Sequence, residues 1–357
     1  MKKVFLVLVI LLVACTAVEE PQVQPSASAL NEPFEKASNA AASEPAEIVA
    51  ATEHFVFHSN FRLSLHDYLD WVVDEGDQQP ADEADCFAAL TGSKKEGWEG
   101  ALSAYREDFG KRDDLRNGGM VALRYRLAGL DAGEFGERFR EPVEELVELL
   151  DGAAPGYRRC VWAVQDERSR EWIAKAVPLV KAHEAELSQR LSRYFGEPFP
   201  QSSTPVAVVH YGTWYGANTV TRPHHIMIGA GDPQNQGHSA LEVVFHEVSH
   251  TMVSPRNGAV ARALASAATE TGLEVPRGLW HGVLFYTAGQ VVRQAFSQAG
   301  VRDFVSFYEE VLPRAWPTFL GPLESEWQLY LDGKIGMDEA ARRLVTQTSQ
   351  PAKESPQ

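Results

Sequence analysis

Two short β-rich runs interrupt a chain whose apolar residues otherwise recur mainly at helical spacing. The runs cover Val206 to Tyr211 and His225 to Ile228, and glycine, asparagine and threonine lie between them. Helical spacing extends from about 53 to 200 before the runs, and it resumes at about 239–254, 277–299, 301–314 and 323–331. We therefore predict a predominantly helical α+β fold, in which an all-helical region precedes a small β-sheet that lies next to a helix.

The charge balance limits the partners of this protein. The sequence holds 33 Lys and Arg residues against 49 Asp and Glu residues, a formal net charge of -16. A surface this acidic repels polyanions, so we expect no nucleic-acid partner. Its 3 cysteines are too few and too widely spaced for a cysteine-rich zinc site. A metal site would therefore need histidine and carboxylate ligands.

The first residues have the pattern of a bacterial export signal. Two lysines precede an uninterrupted apolar run from Val4 to Ala14, which is too short to cross a hydrocarbon layer of about 30 Å. The run ends at Cys15 in the order Leu-Val-Ala-Cys, which resembles the lipobox of bacterial lipoproteins. The resemblance implies that the signal peptide is removed and that lipidation of Cys15 anchors the chain to a membrane. Because Thr16 follows, it also implies an outer-membrane location facing the periplasm in a Gram-negative source.

The helix predicted at 239–254 carries the sequence His246-Glu247-Val248-Ser249-His250, an H-E-x-x-H pattern. On a helix, two histidines four residues apart lie on one face within reach of a single zinc ion, and the glutamate between them can hold a zinc-bound water. The imidazoles face away from an apolar stripe formed by Leu241, Val244, Phe245, Val248 and Met252. The pattern predicts His246 and His250 as zinc ligands and Glu247 as the catalytic base.

A catalytic zinc usually takes three protein ligands and leaves one position for water. His281 is the first candidate for the third ligand, because it lies near the start of a strongly apolar helix, where a buried imidazole needs a partner. Ala288 and Gly289 on the same face would let a neighbouring helix approach closely. Glu270 and Glu274, in a loop-like stretch, are the alternative ligands, and a core histidine bonded to a carbonyl is the remaining interpretation of His281.

These residues resemble the zincin-type zinc metallopeptidases, in which a small sheet lies above the H-E-x-x-H helix. The resemblance covers about 205–299, and it implies that Glu247 takes a proton from zinc-activated water during amide hydrolysis. It also implies that an edge strand aligns the substrate, a role that falls on the run Arg222 to Gly229. The H-E-x-x-H pattern together with the lipobox-like N-terminus is also similar to uncharacterised bacterial lipoproteins. This second resemblance does not indicate a substrate.

The sequence departs from two zincin forms. Val253 and Arg256 stand where the metzincin form needs Gly and His, so that form is excluded. A His281 ligand would depart from the gluzincin form, which uses a glutamate on a following helix. Zincins also stabilise the developing oxyanion with a Tyr or His donor, and Tyr215 and His225 are the candidates for that role.

Two further groups of residues lie where they could contribute to a metal site. His54, His58 and His66 lie close in sequence, but such histidines are more often surface or capping groups than a second metal site. Glu242 precedes His246 by one turn, where it would either orient a zinc-bound imidazole or lie exposed in the first turn of the helix. The exposed position is the favoured interpretation of Glu242.

Composition divides the chain into regions. Pro-rich, Glu-rich sequence with a single aromatic follows Cys15, and Ser, Thr, Gln and Pro dominate the last residues, so both ends should be disordered. Cys86 and Cys160 would either pair in an oxidising compartment or remain two separate buried thiols. The predicted regions are a lipoprotein signal peptide (1–14), a disordered tether (15–50), a helical region (51–200), a zincin-like metal-binding region (201–345) and a disordered tail (346–357).

The sequence therefore predicts a lipid-anchored, zinc-dependent hydrolase of the cell envelope, a metallopeptidase that acts on peptide or protein substrates. The alternative is a non-catalytic envelope lipoprotein whose zincin-like fold serves binding or assembly. No Walker loop, dinucleotide glycine fingerprint or G-x-S-x-G elbow occurs, so nucleotide binding and serine hydrolysis have no support.

Overall fold

The computed structural model describes residues 47–76, 79–109, 117–212 and 216–349. They form an α+β fold in which helices predominate around a five-stranded sheet, which confirms the predicted fold class. The predicted signal peptide and Cys15 lie outside the described residues. Within the described ranges, no helix combines the length and the apolar composition that crossing a membrane requires.

The first half of the described chain forms two strands and seven helices. They are β1 (Glu47–Ala51), β2 (Phe55–Ser59), α1 (Phe61–Glu75), α2 (Ala81–Ala88), α3 (Gly92–Glu107), α4 (Gly118–Leu127), α5 (Gly133–Arg138), α6 (Arg140–Tyr157) and α7 (Ala163–Phe195). A π-helical turn at Arg158–Trp162 joins α6 to α7.

The second half contains the remaining strands and the helices that follow them. They are β3 (Thr204–Val209), β4 (Ala217–Thr221), β5 (His224–Gly229), α8 (Ser239–Ser249), α9 (Ala259–Thr271), α10 (Leu279–Gln298), α11 (Phe307–Ala315), α12 (Leu320–Pro322), α13 (Gln328–Leu331) and α14 (Met337–Thr348). A 3₁₀ turn at Pro233–Asn235 precedes α8, and a π-helical turn at Leu323–Trp327 lies between α12 and α13.

The sheet has the strand order β1-β2-β3-β5-β4. The three central strands are parallel, whereas the outer strands β1 and β4 each run antiparallel to their neighbour. The run Arg222 to Gly229 is therefore not the edge strand that the zincin resemblance implied, because β5 lies between β3 and β4. Strand β4 forms that edge of the sheet, and the β4–β5 register pairs Thr219 with Ile226.

The sheet is the middle layer between two groups of helices. Side chains alternate between its faces along each strand. Ile226 and Ile228 of β5 belong to the core formed with α7, α8 and α10, whereas Met227 between them belongs to the core formed with α1, α3, α4 and α6. The face that a strand residue presents therefore decides whether it can reach α8, the helix that carries His246.

Three region boundaries predicted from the sequence need correction. Strand β1 begins at Glu47, so residues 47–50 are not part of a disordered tether. The region 51–200 is not all-helical, because β2 pairs with β3 in the same sheet. Helix α14 continues to Thr348, so the first residues of the predicted tail are helical. The N-terminal strands thus share a sheet with the strands that lie beside the candidate site.

The longest helix of the described chain is continuous. Helix α7 runs for 33 residues and passes through Pro178 without a break. It ends because Gly196 adopts a left-handed conformation with φ 66°, the conformation that stops many helices. Helix α10 matches its prediction of 277–299 to within two residues at each end.

Cys86 and Cys160 form a disulfide, which settles the alternative between a pair and two separate thiols. Their Cα atoms lie 5.6 Å apart, a usual spacing for this bond. The bridge ties α2 to the π-helical turn that follows α6, across a sequence separation of 74 residues.

We expect the double substitution Cys86→Ser and Cys160→Ser to lower the free energy of unfolding by about 2–4 kcal/mol, because a cross-link over a long loop restricts the unfolded chain. Denaturant unfolding without reductant measures the difference. Equal stability of the double variant and the wild type would contradict a structural role for this bond.

Candidate metal centre

Helix α8 places two of the predicted ligands on one side of a helix that is buried on all sides. Its apolar residues Val244, Phe245 and Val248 pack in the core between the sheet and α10. His246 is 4% exposed and Glu247 is 6% exposed. His250 is the C-cap residue but keeps helical backbone angles, φ -59° and ψ -19°, so its imidazole stays one turn beyond that of His246.

His281, in the first turn of α10, lies beside both of these histidines. One ligand atom from each of His246, His250 and His281 can be chosen such that all three lie within 4.8 Å of one another. The Nε2 atoms of His246 and His281 are 3.4 Å apart. Zinc–nitrogen bonds of 2.0–2.1 Å in a tetrahedral site would separate two ligand nitrogens by roughly 3.3 Å. The spacing therefore fits a zinc ion shared by the imidazoles.

The alternative third ligands lie elsewhere. Glu270 belongs to α9 rather than to a loop, and its carboxylate accepts a hydrogen bond from the Ser266 hydroxyl at the surface. Glu274 follows α9 and is also exposed. Across the described ranges, His246, His250 and His281 are the one group of three potential metal ligands that converge.

Burial keeps these imidazoles neutral. Burial and then the neighbouring His250 lower the pKa of His246 well below its usual value. Burial, with both neighbouring imidazoles, does the same to the pKa of His281, and burial alone lowers the pKa of His250 to about 4. A neutral imidazole is the form that binds a metal ion.

The hydrogen bonding of the cluster is compatible with a bound cation. Among the described residues, the Nδ1 atoms of His246 and His281 have no hydrogen-bond partner, although both are buried. Their Nε2 atoms lie at hydrogen-bond distance, so a suitable tautomer of one ring can donate its N–H to the other. A metal ion would take the place of that hydrogen bond and bind both Nε2 atoms.

Glu247 lies between the metal-ligand candidates and the edge of the sheet. The Thr219 hydroxyl of β4 lies 2.8 Å from the Glu247 Oε2 atom and 2.9 Å from its backbone oxygen. Burial raises the pKa of Glu247 to about 7, and the hydrogen bond from Thr219 opposes this rise. A carboxyl group with a pKa near neutrality can both accept and return a proton at physiological pH.

Aromatic rings enclose the imidazoles on the α10 side. Trp280 stacks on His281 with ring centroids 4.9 Å apart, Trp316 meets His281 edge-on at 5.5 Å, and Phe285 lies 4.1 Å from His246. Gly278 permits this packing, because a Cβ atom there would lie 2.6 Å from the Trp316 indole nitrogen. The rings lower the local dielectric constant, which strengthens electrostatic interactions at the site.

Neither candidate for oxyanion stabilisation is placed beside the imidazoles by the described residues. Tyr215 lies outside the described residues. His225 is wrong as a candidate, because its side chain lies on the opposite face of the sheet, where burial, Arg124 and His58 lower its pKa to about 3. Alternation along β5 instead places His224 on the face shared with Ile226 and α8. Its neighbour in the β4–β5 register is Thr221, two residues from Thr219.

The N-terminal histidines do not form a second metal site within the described ranges. His54 precedes β2 and packs its ring against Phe199, with centroids 4.9 Å apart. His58 lies on β2, and the His66 Nδ1 atom lies 2.6 Å from the Tyr105 hydroxyl in the core of the helical half. These three residues therefore serve different parts of the fold.

Glu242 matches neither interpretation given to it from the sequence. It is 0% exposed, so it is not a surface residue of the first turn. Its carboxylate accepts hydrogen bonds from the Ser306 hydroxyl and the Phe307 backbone N–H at the start of α11, not from an imidazole. Burial raises the pKa of Glu242 to about 8, although both hydrogen bonds oppose this rise.

No protein-family model matches the chain, and neither the curated proteins nor the solved structures contain a significant match. The functional interpretation therefore rests on the residues themselves.

The sequence did not reveal two components of the site. Thr219 fell in the stretch interpreted as a loop, although the β-branched run Thr219-Val220-Thr221 was a strand signal. Trp316 lies 35 residues beyond His281 in sequence and after α11, so no local pattern connects it to the histidines.

We expect the metal-free protein to lose stability as the pH rises from about 6.5 to 9. The folded protein keeps protons on Glu242 and Glu247, with pKa values of about 8 and about 7, that the unfolded chain releases near the ordinary value of 4.5. The histidines do not contribute in this range, since their lowered pKa values cost stability only as the pH falls below 6.5.

Glu242→Gln should flatten this decline, because an amide has no proton to release. Urea unfolding of the metal-free wild type and variant at several pH values measures the slope. Identical slopes in the two proteins would show that Glu242 is ionised in the fold at neutral pH, contrary to the expected rise in its pKa.

Proposed function

We propose that this protein is a zinc-dependent hydrolase, and specifically a metallopeptidase, in which His246, His250 and His281 hold zinc. The observation that carries the proposal is the convergence of three imidazoles within 4.8 Å, two of them buried and that of His250 half-buried, with Glu247 next to His246 on α8. Three neutral nitrogen ligands and an acid beside an open coordination position are the composition of a catalytic zinc site.

The donor set favours zinc over harder cations. Imidazole nitrogen suits zinc and other first-row transition metals, whereas calcium and magnesium prefer oxygen ligands. The nearest carboxylate in sequence, Glu247, is held by Thr219 of β4. It is therefore available as an acid–base group rather than as a fourth ligand.

When bound, zinc would supply Lewis acidity that polarises a scissile carbonyl and makes water a stronger nucleophile. Glu247 would accept the proton of the attacking water on a carboxylate oxygen and later deliver it to the leaving amine. The hydrogen bond from Thr219 would hold the Glu247 Oε2 atom, so that the carboxylate keeps one orientation in both steps.

Strand β4 is suited to align the substrate. It is an edge of the sheet, and Thr219 on this strand contacts Glu247 directly. A peptide in extended conformation can add to such an edge through main-chain hydrogen bonds, largely independent of its sequence. This arrangement would bring the scissile bond beside Glu247 and supports a peptide or protein as the substrate.

The proposed location rests on the sequence alone. The lipobox at Cys15 supports a lipid-anchored protein of the cell envelope, facing the periplasm from the outer membrane in a Gram-negative source. The Cys86–Cys160 disulfide is consistent with an oxidising compartment of this kind. The acidic composition of the chain disfavours nucleic acid as a partner, because like charges repel.

One observation favours a second candidate function, a non-catalytic lipoprotein that uses the fold for binding or assembly. His246 and Glu247 are only 4% and 6% exposed, which leaves little of either group accessible to a substrate. In that case the metal would be structural, and the Glu247 carboxyl would serve the packing of α8 against β4.

Metal content separates a three-histidine site from an ordinary buried cluster. We expect about one zinc per chain when the wild-type protein is purified with zinc. We expect that zinc to be lost in His246→Ala and in His281→Ala. His225→Ala is the matched control, since this histidine is buried on the other face of the sheet. Elemental analysis measures the content, and zinc retained in His281→Ala would rule this residue out as the third ligand.

Activity separates the two functions. We expect Glu247→Gln to retain zinc but to lower peptide hydrolysis by about 100-fold or more, the usual loss when a general base is removed. A peptide library with chelated protein as the blank measures the rate. Zinc binding without hydrolysis in the wild type would instead support the binding or assembly function.

A further inference from the structure

Glu242 is a buried acid that the proposed reaction does not use. It lies on α8 one turn before His246, with 0% of its surface exposed. The Ser306 hydroxyl donates to its Oε1 atom at 2.6 Å, and the Phe307 backbone N–H lies 3.2 and 3.1 Å from its two oxygens. An ionisable group in such a place costs free energy unless its contacts compensate for lost hydration.

The same carboxylate also lies against α10, the helix that carries His281. A Cβ atom at Gly289 would lie 2.9 Å from the Glu242 Oε1 atom and 2.0 Å from the Ser306 hydroxyl. Any larger residue at Gly289 would therefore push α10 away from this contact. Glu242 thus joins three elements, namely both ligand-bearing helices and the start of α11.

Helix α11 does not need Glu242 as its only cap. Glu309, in the first turn of α11, accepts the Ser306 backbone N–H at 2.9 Å, as in a capping box. The hydrogen bonds from Ser306 and Phe307 to Glu242 instead connect α11 to a separate helix. Their effect is to fix where α11 lies relative to α8.

The other end of α11 contacts the metal centre. Trp316 is its C-cap residue, and the indole ring meets His281 edge-on with centroids 5.5 Å apart. Trp316 also packs against Gly278, the residue before α10 begins. Helix α11 spans nine residues, about 13 Å, so its start and Trp316 lie at opposite ends of one short helix, which contains Pro313. We expect displacement of its start to shift Trp316 and, through Gly278, the first turn of α10.

We propose that Glu242 is a positioning residue for the metal site, which holds α11 and α10 against α8 so that His281 stays within ligand distance of His246. This inference rests on the proposed zinc site. It assigns the carboxylate a geometric role, in which its hydrogen bonds matter and its charge does not.

The test compares zinc affinity in three variants with that in the wild type. Glu242→Ala removes the connection, whereas Glu242→Gln keeps an oxygen for the Phe307 N–H and places an N–H₂ beside the Ser306 hydroxyl. Glu184→Ala is the matched control, because Glu184 is another buried carboxylate that accepts backbone N–H groups, from Glu53 and His54 at the turn between β1 and β2. Chelator competition gives the affinity, thermal unfolding gives the stability, and visible absorption of the cobalt-substituted proteins reports the ligand geometry.

We expect Glu242→Ala to weaken zinc binding by about 10-fold or more and to alter the cobalt spectrum, as loss of supporting contacts around a metal site does. Glu242→Gln should keep the affinity within about threefold, and Glu184→Ala should keep it despite a lower melting temperature. If Glu242→Ala does not fold, Ser306→Ala removes one of the same hydrogen bonds and should weaken binding severalfold.

Four results would overturn the inference. Wild-type affinity and cobalt spectrum in Glu242→Ala would show that the contact does not position His281. If Glu184→Ala weakened zinc binding as much as Glu242→Ala, general destabilisation would explain the loss of affinity. If Glu242→Gln weakened zinc binding as much, the loss would be due to the charge of Glu242 and not to its hydrogen bonds. Wild-type protein that binds no zinc would overturn the proposed function as well, whereas the other results leave the zinc site intact.

Discussion

The packing of α10 against α8 is the constraint on which the candidate site depends. It places the His281 Nε2 atom 3.4 Å from that of His246, inside a core that holds both imidazoles neutral. Two neutral imidazoles at this distance can share one hydrogen bond, and a cation between them would bind both nitrogens. The rest of the fold supports this contact, since the sheet covers one side of α8 and Glu242 fixes α11 on another.

The sequence predicted those features that depend on a single helix. The apolar stripe of α8, the boundaries of α10 and the placement of His281 on a buried face all follow from helical spacing, because side chains three or four residues apart share a face. The two predicted β-rich runs correspond to β3 and β5, but strands β1, β2 and β4 were not predicted. Phe57 continues a helical pattern with Phe61, yet it lies on β2, since pairing with β3 outweighs local spacing.

Long-range contacts account for the remaining differences. His225 and His224 are adjacent, and a shift of one position along β5 decides which of them faces α8. Glu242 has the position of an exposed first-turn acid, but its partner Ser306 lies 64 residues later in the chain. No local pattern encodes that contact. The same is true of Thr219, whose hydroxyl reaches Glu247 only because β4 pairs antiparallel with β5.

If His246, His250 and His281 share one zinc ion, X-ray absorption at the zinc edge should detect all three imidazoles. The spectrum should show three histidine nitrogens at about 2.0–2.1 Å and one additional light-atom ligand, with the outer-shell scattering that imidazole rings produce. In His281→Ala, one of the three imidazole contributions should disappear. A wild-type spectrum with mainly carboxylate oxygen ligands, or with fewer than three imidazoles, would rule out the three-histidine zinc site.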